Sequence, residues 1–356
     1  MVSSSVSDQE RHRVGGFAFS RNFLAAGTPV GEGAPVFIIA EAGVAHFGSL
    51  EKAFRLVDLA VNAGADAVKF QIFKTDDLVS SGSPDWRRRL NSRQLSQDSF
   101  LEIRDYCIEN GITFFATAHD QGSLSFLHEL DVPFYKIGSG EVRNWPYLEE
   151  IARIGKPVFL STGMYTMEDV AQALDIFAGA GNPDLAVLHC VTSYPTPPAQ
   201  VNLRAMDTIR KTFGVIIGYS DHTQGFHVPL AAVARGAKVI EKHISLDFNV
   251  PDAQDWKVSC GPDDLKLFIQ QLREVEAALG SGVKGPSPAE NAALQWARKS
   301  LVAARHIPAG TIIGAADVTC KRPGTGIAPS DLHTVLGRKA VRDIPEDTVI
   351  EPEMLK

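Results

Sequence analysis

A short apolar run followed by an amphipathic segment recurs along most of this chain, and the repetition limits the folds open to it. Between Pro35 and Leu279 the runs are VFIIAEAG (36–43), AVKFQIF (67–73), TFFATAH (113–119), FYKIGSG (134–140), PVFLSTG (157–163), LAVLHCV (185–191), VIIGYS (215–220) and KVIEKHI (238–244). Each is rich in β-branched or aromatic residues. Such runs are typical of parallel strands, which helices bury on both faces.

The segments between the runs carry helical spacing. In the first segment one apolar stripe consists of Leu50, Phe54, Val57 and Val61. Ser49 is the expected N-cap, and Gly64 is the expected end of this helix. Eight strand-and-helix units in about 245 residues predict an α/β fold, the (β/α)8 TIM barrel, whose usual size is roughly 250 residues. A doubly wound open sheet is the alternative, although no GxGxxG turn follows the first run.

Composition predicts how the chain divides. We expect a disordered N-terminus at 1–16, the barrel at 17–279, a linker rich in Gly, Ser and Pro at 280–296, and a small β-rich module at 297–356. In that module the phrases HIPAGT and DIPEDT look like two copies of one turn. A module this small is marginal alone, so we expect it to pack on the barrel or on a second subunit.

Charge and composition exclude several classes of function. The 35 basic and 42 acidic side chains give a net charge of −7, which argues against nucleic acid as a partner. No apolar run is long enough to span a membrane and the N-terminus lacks a signal-peptide core, so we expect a cytoplasmic protein. The cysteines are too widely spaced for a zinc site or a disulfide framework, and we expect them to be reduced: Cys107, Cys190, Cys260 and Cys320.

Polar side chains collect at the ends of the predicted strands, where TIM barrels carry their reacting groups. Lys69 and Lys136 lie within otherwise apolar runs, and a buried ammonium needs an anionic partner. One interpretation gives them structural salt bridges to Glu41, Glu141 or Glu241. The other, which we favour, is a bound phosphate that also contacts the hydroxyls of Thr117, Ser139, Ser161 and Ser220. Each charge-assisted hydrogen bond to phosphate is worth roughly 1.5–3 kcal/mol, enough in sum to offset the burial of two lysines.

His222 and His243 end the seventh and eighth runs, which are neighbours in a closed barrel. Two neighbouring imidazoles can hold a divalent metal, although a histidine at a strand end can also be purely structural. With water and substrate oxygens completing the coordination, such a pair suits Mn, Co or Mg better than a closed zinc site.

Motifs along nearly the whole chain, from about Val36 to Lys356, resemble the sialic acid (N-acetylneuraminate) synthase family. In order they are AEAGVAHFGS, VKFQIFK, FYKIGSGE, FLSTGM, LHCVTSYPTPPAQVNL, GYSDHT and VIEKHISLD, then ARKSLVAARHIPAGTII and KRPGTGI. The resemblance implies a transferase that condenses phosphoenolpyruvate with an N-acetylmannosamine-type sugar aldehyde, giving a nine-carbon nonulosonic acid and phosphate. It also implies that the terminal module is an antifreeze-like (SAF) domain.

The resemblance also implies residue roles. The phosphate of phosphoenolpyruvate would contact Lys69, Thr117, Lys136, Ser139, Ser161 and Ser220. His222 and His243 match metal ligands, usually for manganese, and Glu41 matches a carboxylate beside the metal-bound water. The acceptor sugar would contact Glu141, Tyr194, Asp255 and Arg322. Arg322 would come from the partner's SAF domain in a domain-swapped homodimer.

Two other functions stay open on the sequence. A pyruvate-type aldolase would form a Schiff base on Lys69 or Lys136, but it leaves the histidine pair unexplained. A non-catalytic sugar-binding or ice-binding protein built round the terminal module is the third reading. The acceptor also stays open among N-acetylmannosamine, its 6-phosphate, and the diacetamido sugars of legionaminic or pseudaminic acid.

Overall fold

The eight apolar runs form eight strands in the computed structural model, which describes residues 16–251 and 253–356. The predicted disorder of 1–16 falls outside these residues, apart from Gly16. The chain forms two compact units, the first ending at Gly280 and the second running Ser281–Lys356. In the described part of the chain, no helix has the length and apolarity needed to cross a bilayer.

The first unit alternates strands and helices. Its strands are β1 Asn22–Ala25, β2 Thr28–Gly31, β3 Phe37–Gly43, β4 Ala67–Ile72, β5 Thr113–Ala118, β6 Tyr135–Ile137, β7 Val158–Ser161, β8 Leu185–Cys190, β9 Ile216–Asp221 and β10 Val239–His243. Its α-helices are α1 Leu50–Ala63, α2 Thr75–Leu78, α3 Pro84–Asn91, α4 Gln97–Glu109, α5 Gln121–Glu129, α6 Trp145–Ile154, α7 Met167–Gly179, α8 Arg204–Phe213, α9 His227–Ala234 and α10 Leu265–Leu279. Short 3-10 helices cover Ser139–Glu141, Pro198–Gln200 and Asp255–Lys257.

Strands β3 to β10 form one sheet in the order β5-β4-β3-β10-β9-β8-β7-β6. The first strand of the series, β3, pairs in parallel with both the second, β4, and the last, β10. The sheet therefore curls into the predicted TIM barrel, and the open-sheet alternative is excluded. At the seam between β5 and β6 the rings of Phe115 and Phe134 are 4.5 Å apart.

Helix α1 follows the prediction from its sequence. The Ser49 hydroxyl accepts a hydrogen bond from the Lys52 backbone N–H at 3.2 Å, and Gly64 ends the helix with φ at 82°. A positive φ of this kind costs glycine little, because glycine has no Cβ. The predicted stripe faces the core: Val57 is buried, and Phe54 is partly buried against the same cluster.

Apolar side chains fill the lower part of the barrel. Successive residues of a strand point to opposite faces, so alternate positions point inward. The inward cluster from the barrel strands consists of Phe37, Ile39, Ala67, Phe115, Phe134, Phe159, Ala186, Leu188, Ile216 and Val239. The antiparallel hairpin β1–β2, which the sequence did not predict, adds Phe23, Ala25 and Val30 to this cluster.

The second unit is a small β-rich domain around its own core. Its strands β11 Ser300–Ala303 and β12 Val318–Lys321 pair antiparallel, and within the predicted linker the chain forms helix α11 Asn291–Trp296. The two predicted turn copies pair with each other, because Ile307 and Ile344 exchange backbone hydrogen bonds of 2.8 and 2.9 Å. Short 3-10 helices cover Pro288–Glu290, Ala315–Asp317, Pro329–Thr334 and Pro352–Met354.

Candidate active site

A layer of buried polar side chains sits above the apolar cluster at the carboxyl ends of the barrel strands. Its members are Glu41, Lys69, Thr117, Lys136, Ser161, Cys190, Ser220, His222, Glu241 and His243. Strand alternation explains the layer: in β10, Val239 belongs to the apolar cluster, so Glu241 and His243 point inward while Lys242 points to the other face. Strand register places Glu41 beside Lys69 on one side and beside His243 on the other.

Lys69 is held by a carboxylate and a hydroxyl. Its Nζ lies 2.7 Å from Glu41 Oε2 and donates to Thr117 Oγ1 at 3.0 Å. Glu241 Oε2 is 3.8 Å away. Burial alone would lower the pKa of Lys69, but the two carboxylates outweigh burial and hold that pKa above its ordinary value. The anionic partner that the sequence required for this lysine is therefore present.

Lys136 has a different environment. Its Nζ donates to Ser161 Oγ at 2.7 Å and to the Ile137 carbonyl at 3.0 Å, and it lies 3.8 Å from Glu241 Oε1. Burial lowers the pKa of Lys136, and Glu241 only partly opposes this effect. The two lysines, both 3% exposed, therefore differ in how firmly they hold their protons.

Glu241 is a site residue that the sequence analysis treated only as a salt-bridge partner. It lies between the two lysines and accepts a hydrogen bond from Ser220 Oγ at 3.0 Å. Burial opposes its ionisation, but Lys136 and Lys69 prevail and lower its pKa. The alternation of VIEKH, with an acidic residue two positions before the histidine, was the signal that could have identified it.

Glu41 is almost wholly buried and has two partners. Its Oε1 accepts a hydrogen bond from Gln71 Nε2 at 2.9 Å, and its Oε2 faces Lys69. Burial raises the pKa of Glu41 despite the opposing effect of Lys69. A carboxylate with a raised pKa is better matched to proton transfer near neutral pH than an ordinary one.

Ser139 lies on the 3-10 turn after β6 and is oriented by the loop after β7. Its Oγ accepts a hydrogen bond from the Gly163 backbone N–H at 3.0 Å. A Cβ at position 163 would stand 2.3 Å from Thr192 Oγ1 and 2.8 Å from Ser139 Oγ. Glycine is therefore required for this close approach. Glu141, on the same turn, accepts from Asn144 Nδ2 at 2.6 Å, and burial raises its pKa.

The two strand-end histidines are neighbours, as predicted. Their ring centroids are 5.3 Å apart, and the Tyr194 ring lies 4.0 Å from His222 and 5.7 Å from His243. His222 Nδ1 donates to the Val191 carbonyl at 2.7 Å, so in the neutral ring the lone pair is on Nε2. Cys190, expected to be reduced, has its Sγ 3.6 Å from the same Nδ1.

This pair has the features of a metal-binding site. Ligating histidines commonly donate their second ring N–H to a carbonyl or carboxylate, as His222 does to Val191. Burial lowers the pKa of His243 well below its ordinary value, which favours the neutral, ligating ring. Among the residues that the structure describes, no group of three or more His, Cys, Asp or Glu side chains is placed to hold an ion. Within the described part of the chain, two histidines are thus the candidate ligands, and other ligands would come from water or substrate.

The chain matches known protein families and known proteins along most of its length. Residues 56–284 match the NeuB family and residues 298–356 match the SAF domain. The chain is 39% identical to N,N'-diacetyllegionaminic acid synthase of Campylobacter jejuni, over 88% of this chain and 98% of that protein. This chain belongs to the NeuB family. It is also 37% identical to human N-acetylneuraminate-9-phosphate synthase, over 93% of this chain and 96% of that protein.

A solved structure supports the same family membership. The crystal structure of N-acetylneuraminic acid (sialic acid) synthetase from Leptospira borgpetersenii in complex with citrate superposes with a TM-score of 0.72 and 33% identity. The match covers 78% of this chain and 96% of that one. The family resemblance drawn from the motifs, including the terminal SAF domain, is therefore confirmed.

The remaining predicted residues of this NeuB-family chain fall into two groups. Asp255 belongs to the barrel unit; burial raises its pKa, although the charges of Arg93, His222 and Lys69 oppose this effect. Arg322 belongs to the SAF unit, where its guanidinium lies 5.6 Å from the centroid of the Trp296 ring. The barrel thus carries every predicted site residue except Arg322.

One further histidine, His119, directly follows β5. Burial lowers its pKa to about 4, and the charges of Lys69 and Lys136 act in the same direction. Its ring is therefore neutral near pH 7.

Proposed function

We propose that this chain condenses phosphoenolpyruvate with an N-acetylmannosamine-type sugar aldehyde to give a nonulosonic acid and phosphate. One observation carries the proposal. Two buried lysines, each donating a hydrogen bond to a hydroxyl, lie at the same end of the barrel as a pair of histidines. The relatives support it, because the names of two of them describe the synthesis of legionaminic acid and neuraminate 9-phosphate.

The lysines retain capacity for a phosphate group. An ammonium has three N–H donors. Lys69 uses one on Thr117 and is ion-paired with Glu41, and Lys136 uses two on Ser161 and the Ile137 carbonyl, so at least one donor remains on each. One donor on each lysine is left for a phosphate oxygen, and the same charges stabilise the phosphate as it leaves.

The carbon–carbon bond needs an electrophilic aldehyde, since C3 of phosphoenolpyruvate is a weak nucleophile. His222 and His243 would hold a divalent cation, with Mn preferred and Mg or Co as alternatives, which when bound polarises the aldehyde oxygen. Tyr194, packed against both rings, limits their movement.

Water then adds at C2, and the tetrahedral adduct expels phosphate by breaking its C2–O bond, which leaves the 2-keto acid. Glu41 takes the proton of that water, for which its raised pKa suits it. Lys69, 2.7 Å from the Glu41 carboxylate, keeps the group oriented. Glu141, Tyr194 and Asp255 would contact the sugar, by resemblance to the family.

The proposal includes a homodimer in which Arg322 of one subunit covers the sugar's acyl group in the other. Its support is the family resemblance and the small size of the SAF unit, which favours packing against a larger body. Within the SAF unit the Arg322 guanidinium contacts the Trp296 ring, and this contact limits the conformations of the arginine side chain.

A pyruvate-type aldolase is the second candidate, because burial lowers the pKa of Lys136 as a Schiff-base lysine requires. Borohydride in the presence of pyruvate would trap that adduct. The test of the main proposal is phosphate release from phosphoenolpyruvate with Mn and a panel of N-acetylmannosamine, its 6-phosphate and diacetamido sugars. Release that depends on one acceptor supports it, and no release with any acceptor contradicts it.

A further inference from the structure

His119 is a polar side chain at the carboxyl end of the barrel that the proposed reaction does not use. It directly follows β5, and successive residues of a strand point to opposite faces. Ala116 and Ala118 belong to the apolar cluster shared with the helices, whereas Phe115 belongs to the inward cluster. Thr117 is in the polar layer. His119, two positions further on, is therefore directed to the same inner face, one step nearer the barrel mouth.

The contact of His119 with the loop after β6 agrees with this direction. A Cβ built on Gly138 would stand 3.7 Å from His119 Cε1 and 3.7 Å from Thr117 Cγ2, so both side chains border this glycine. Gly138 directly follows Ile137, whose carbonyl accepts a hydrogen bond from Lys136. The His119 ring is therefore next to residues that belong to the proposed phosphate site.

The backbone on both sides of His119 is fixed. The Tyr147 hydroxyl donates to the Ala118 carbonyl at 2.7 Å, and the His119 N–H donates to the last carbonyl of β4 at 3.1 Å. Asp120 caps helix α5, because its side chain accepts a hydrogen bond from the Ser123 N–H at 2.8 Å. The imidazole is thus attached to a rigid segment of the barrel rim, as a group that must be placed accurately against a substrate requires.

The imidazole of His119 has no partner within the described part of the chain. Neither ring nitrogen makes a hydrogen bond to another described residue, and neither is a fully buried atom that lacks a partner. The side chain is partly buried, so a ligand in the barrel mouth can reach it. With its pKa lowered to about 4, the ring is neutral near pH 7 and carries one N–H donor and one lone pair.

We propose that the His119 ring donates its N–H to a phosphate oxygen of phosphoenolpyruvate, beside the ammonium groups of Lys69 and Lys136. The inference rests on the proposed function, which places that phosphate at the two lysines. A phosphate monoester has three strong acceptor oxygens, so it can use a further donor. A neutral donor adds to the binding without a third positive charge, which two buried lysines would disfavour.

The first test is binding of phosphoenolpyruvate to the full chain without an acceptor sugar, measured by calorimetry with Mn in all samples. His119→Phe keeps an aromatic ring and loses the donor, so the affinity should fall at least about tenfold. His119→Asn places an amide nitrogen near the position of Nδ1, and His119→Gln places one near Nε2, so one of the two should recover most of the affinity. His128→Phe, at an exposed histidine of α5, is the matched control and should bind like the unaltered chain.

These variants separate hydrogen bonding from packing. If the ring only fills space against Gly138, His119→Phe should bind phosphoenolpyruvate as tightly as the unaltered chain, and that result overturns the inference. If His119→Phe does not fold, His119→Ala is the donor-free reference. Binding by His119→Asn and His119→Gln that is no tighter than binding by His119→Ala then overturns the inference.

Inorganic phosphate and pyruvate identify the group that the ring contacts. In His119→Phe the affinity for inorganic phosphate should fall by a factor similar to that for phosphoenolpyruvate, and the affinity for pyruvate should not change. Weaker binding of pyruvate with unchanged binding of phosphate would place the ring at the carboxylate and overturn the inference.

Turnover separates this inference from the proposed function. The KM for phosphoenolpyruvate should rise at least about tenfold in His119→Phe, while the KM for the acceptor sugar should stay within about twofold. Condensation by the unaltered enzyme, with the same KM for phosphoenolpyruvate in His119→Phe, would support the reaction and contradict the role of His119. Donor-dependent binding of phosphoenolpyruvate without turnover of any acceptor would support the role of His119 and contradict the condensation.

Discussion

Lys242 donates a hydrogen bond to Asp221 at 2.6 Å, and each residue directly precedes one of the two paired histidines. The ion pair is buried on the opposite face of the strands from those rings, at 1% and 0% side-chain exposure. Lys242 also donates to the Thr223 and Gly225 carbonyls, in the loop that follows His222. The pair therefore fixes the backbone that carries both imidazoles.

Lys242→Met should destabilise the protein strongly, since it leaves Asp221 charged and buried without its cation. Loss of one partner of a buried ion pair costs about 3–5 kcal/mol. The measurement is the free energy of unfolding of the barrel in urea. Lys266→Met, on the exposed surface of α10, is the control and should change that free energy by less than about 0.5 kcal/mol. A Lys242→Met protein as stable as this control would show that the pair contributes little.

His222→Ala and His243→Ala should each abolish turnover while leaving the circular dichroism spectrum unchanged, because both side chains lie at strand ends above the packed cluster. EDTA should remove the activity of the unaltered enzyme, and Mn should restore it. His306→Ala, an exposed histidine of the SAF unit, should remain active. Full activity after exhaustive chelation would exclude the metal.

Much of the barrel is readable from the sequence because parallel strands bury both faces and so appear as continuous apolar runs. Period-two alternation within those runs also predicts the polar layer. The hairpin Asn22–Gly31 escaped prediction because its strands are only four residues each and only the first of them alternates exposed with buried positions. Helix α11 lies in a segment whose Gly, Ser and Pro content masked a capping box between Ser287 and Glu290.

The parts of the site that were missed depend on three-dimensional placement. Glu241 can be recognised as a site residue only in the folded barrel, where it lies between two lysines that are more than a hundred residues away along the chain.

Glu41→Gln should lower kcat by about 10²–10⁴-fold with little change in KM for either substrate, because a general base acts in the transition state. Glutamine has the size of glutamate, so the side chain at position 41 should keep its contact with Gln71 but lose its charge. If saturating Mn restores kcat in this variant, Glu41 supports the metal rather than moving a proton. Metal affinity should therefore be measured in parallel by titration.

Arg322 should act on the barrel of its partner. Co-expression of His222→Ala with Arg322→Ala would give mixed dimers that each pair one normal barrel with one normal arginine. Roughly a quarter of the unaltered activity should return on random pairing of a two-fold dimer. If mixed dimers form but show no activity, Arg322 does not act on the barrel of the partner subunit.

In the proposed reaction, phosphate leaves by cleavage of the C2–O bond after C3 has attacked a sugar aldehyde. Phosphoenolpyruvate labelled with heavy oxygen in its C–O–P bridge tests it directly, with mass spectrometry of both products. We predict that the label appears in the released phosphate and that a three-carbon extension of the sugar forms in equal amount. Label retained in the keto acid, or a borohydride-trapped lysine adduct without phosphate release, would contradict the account.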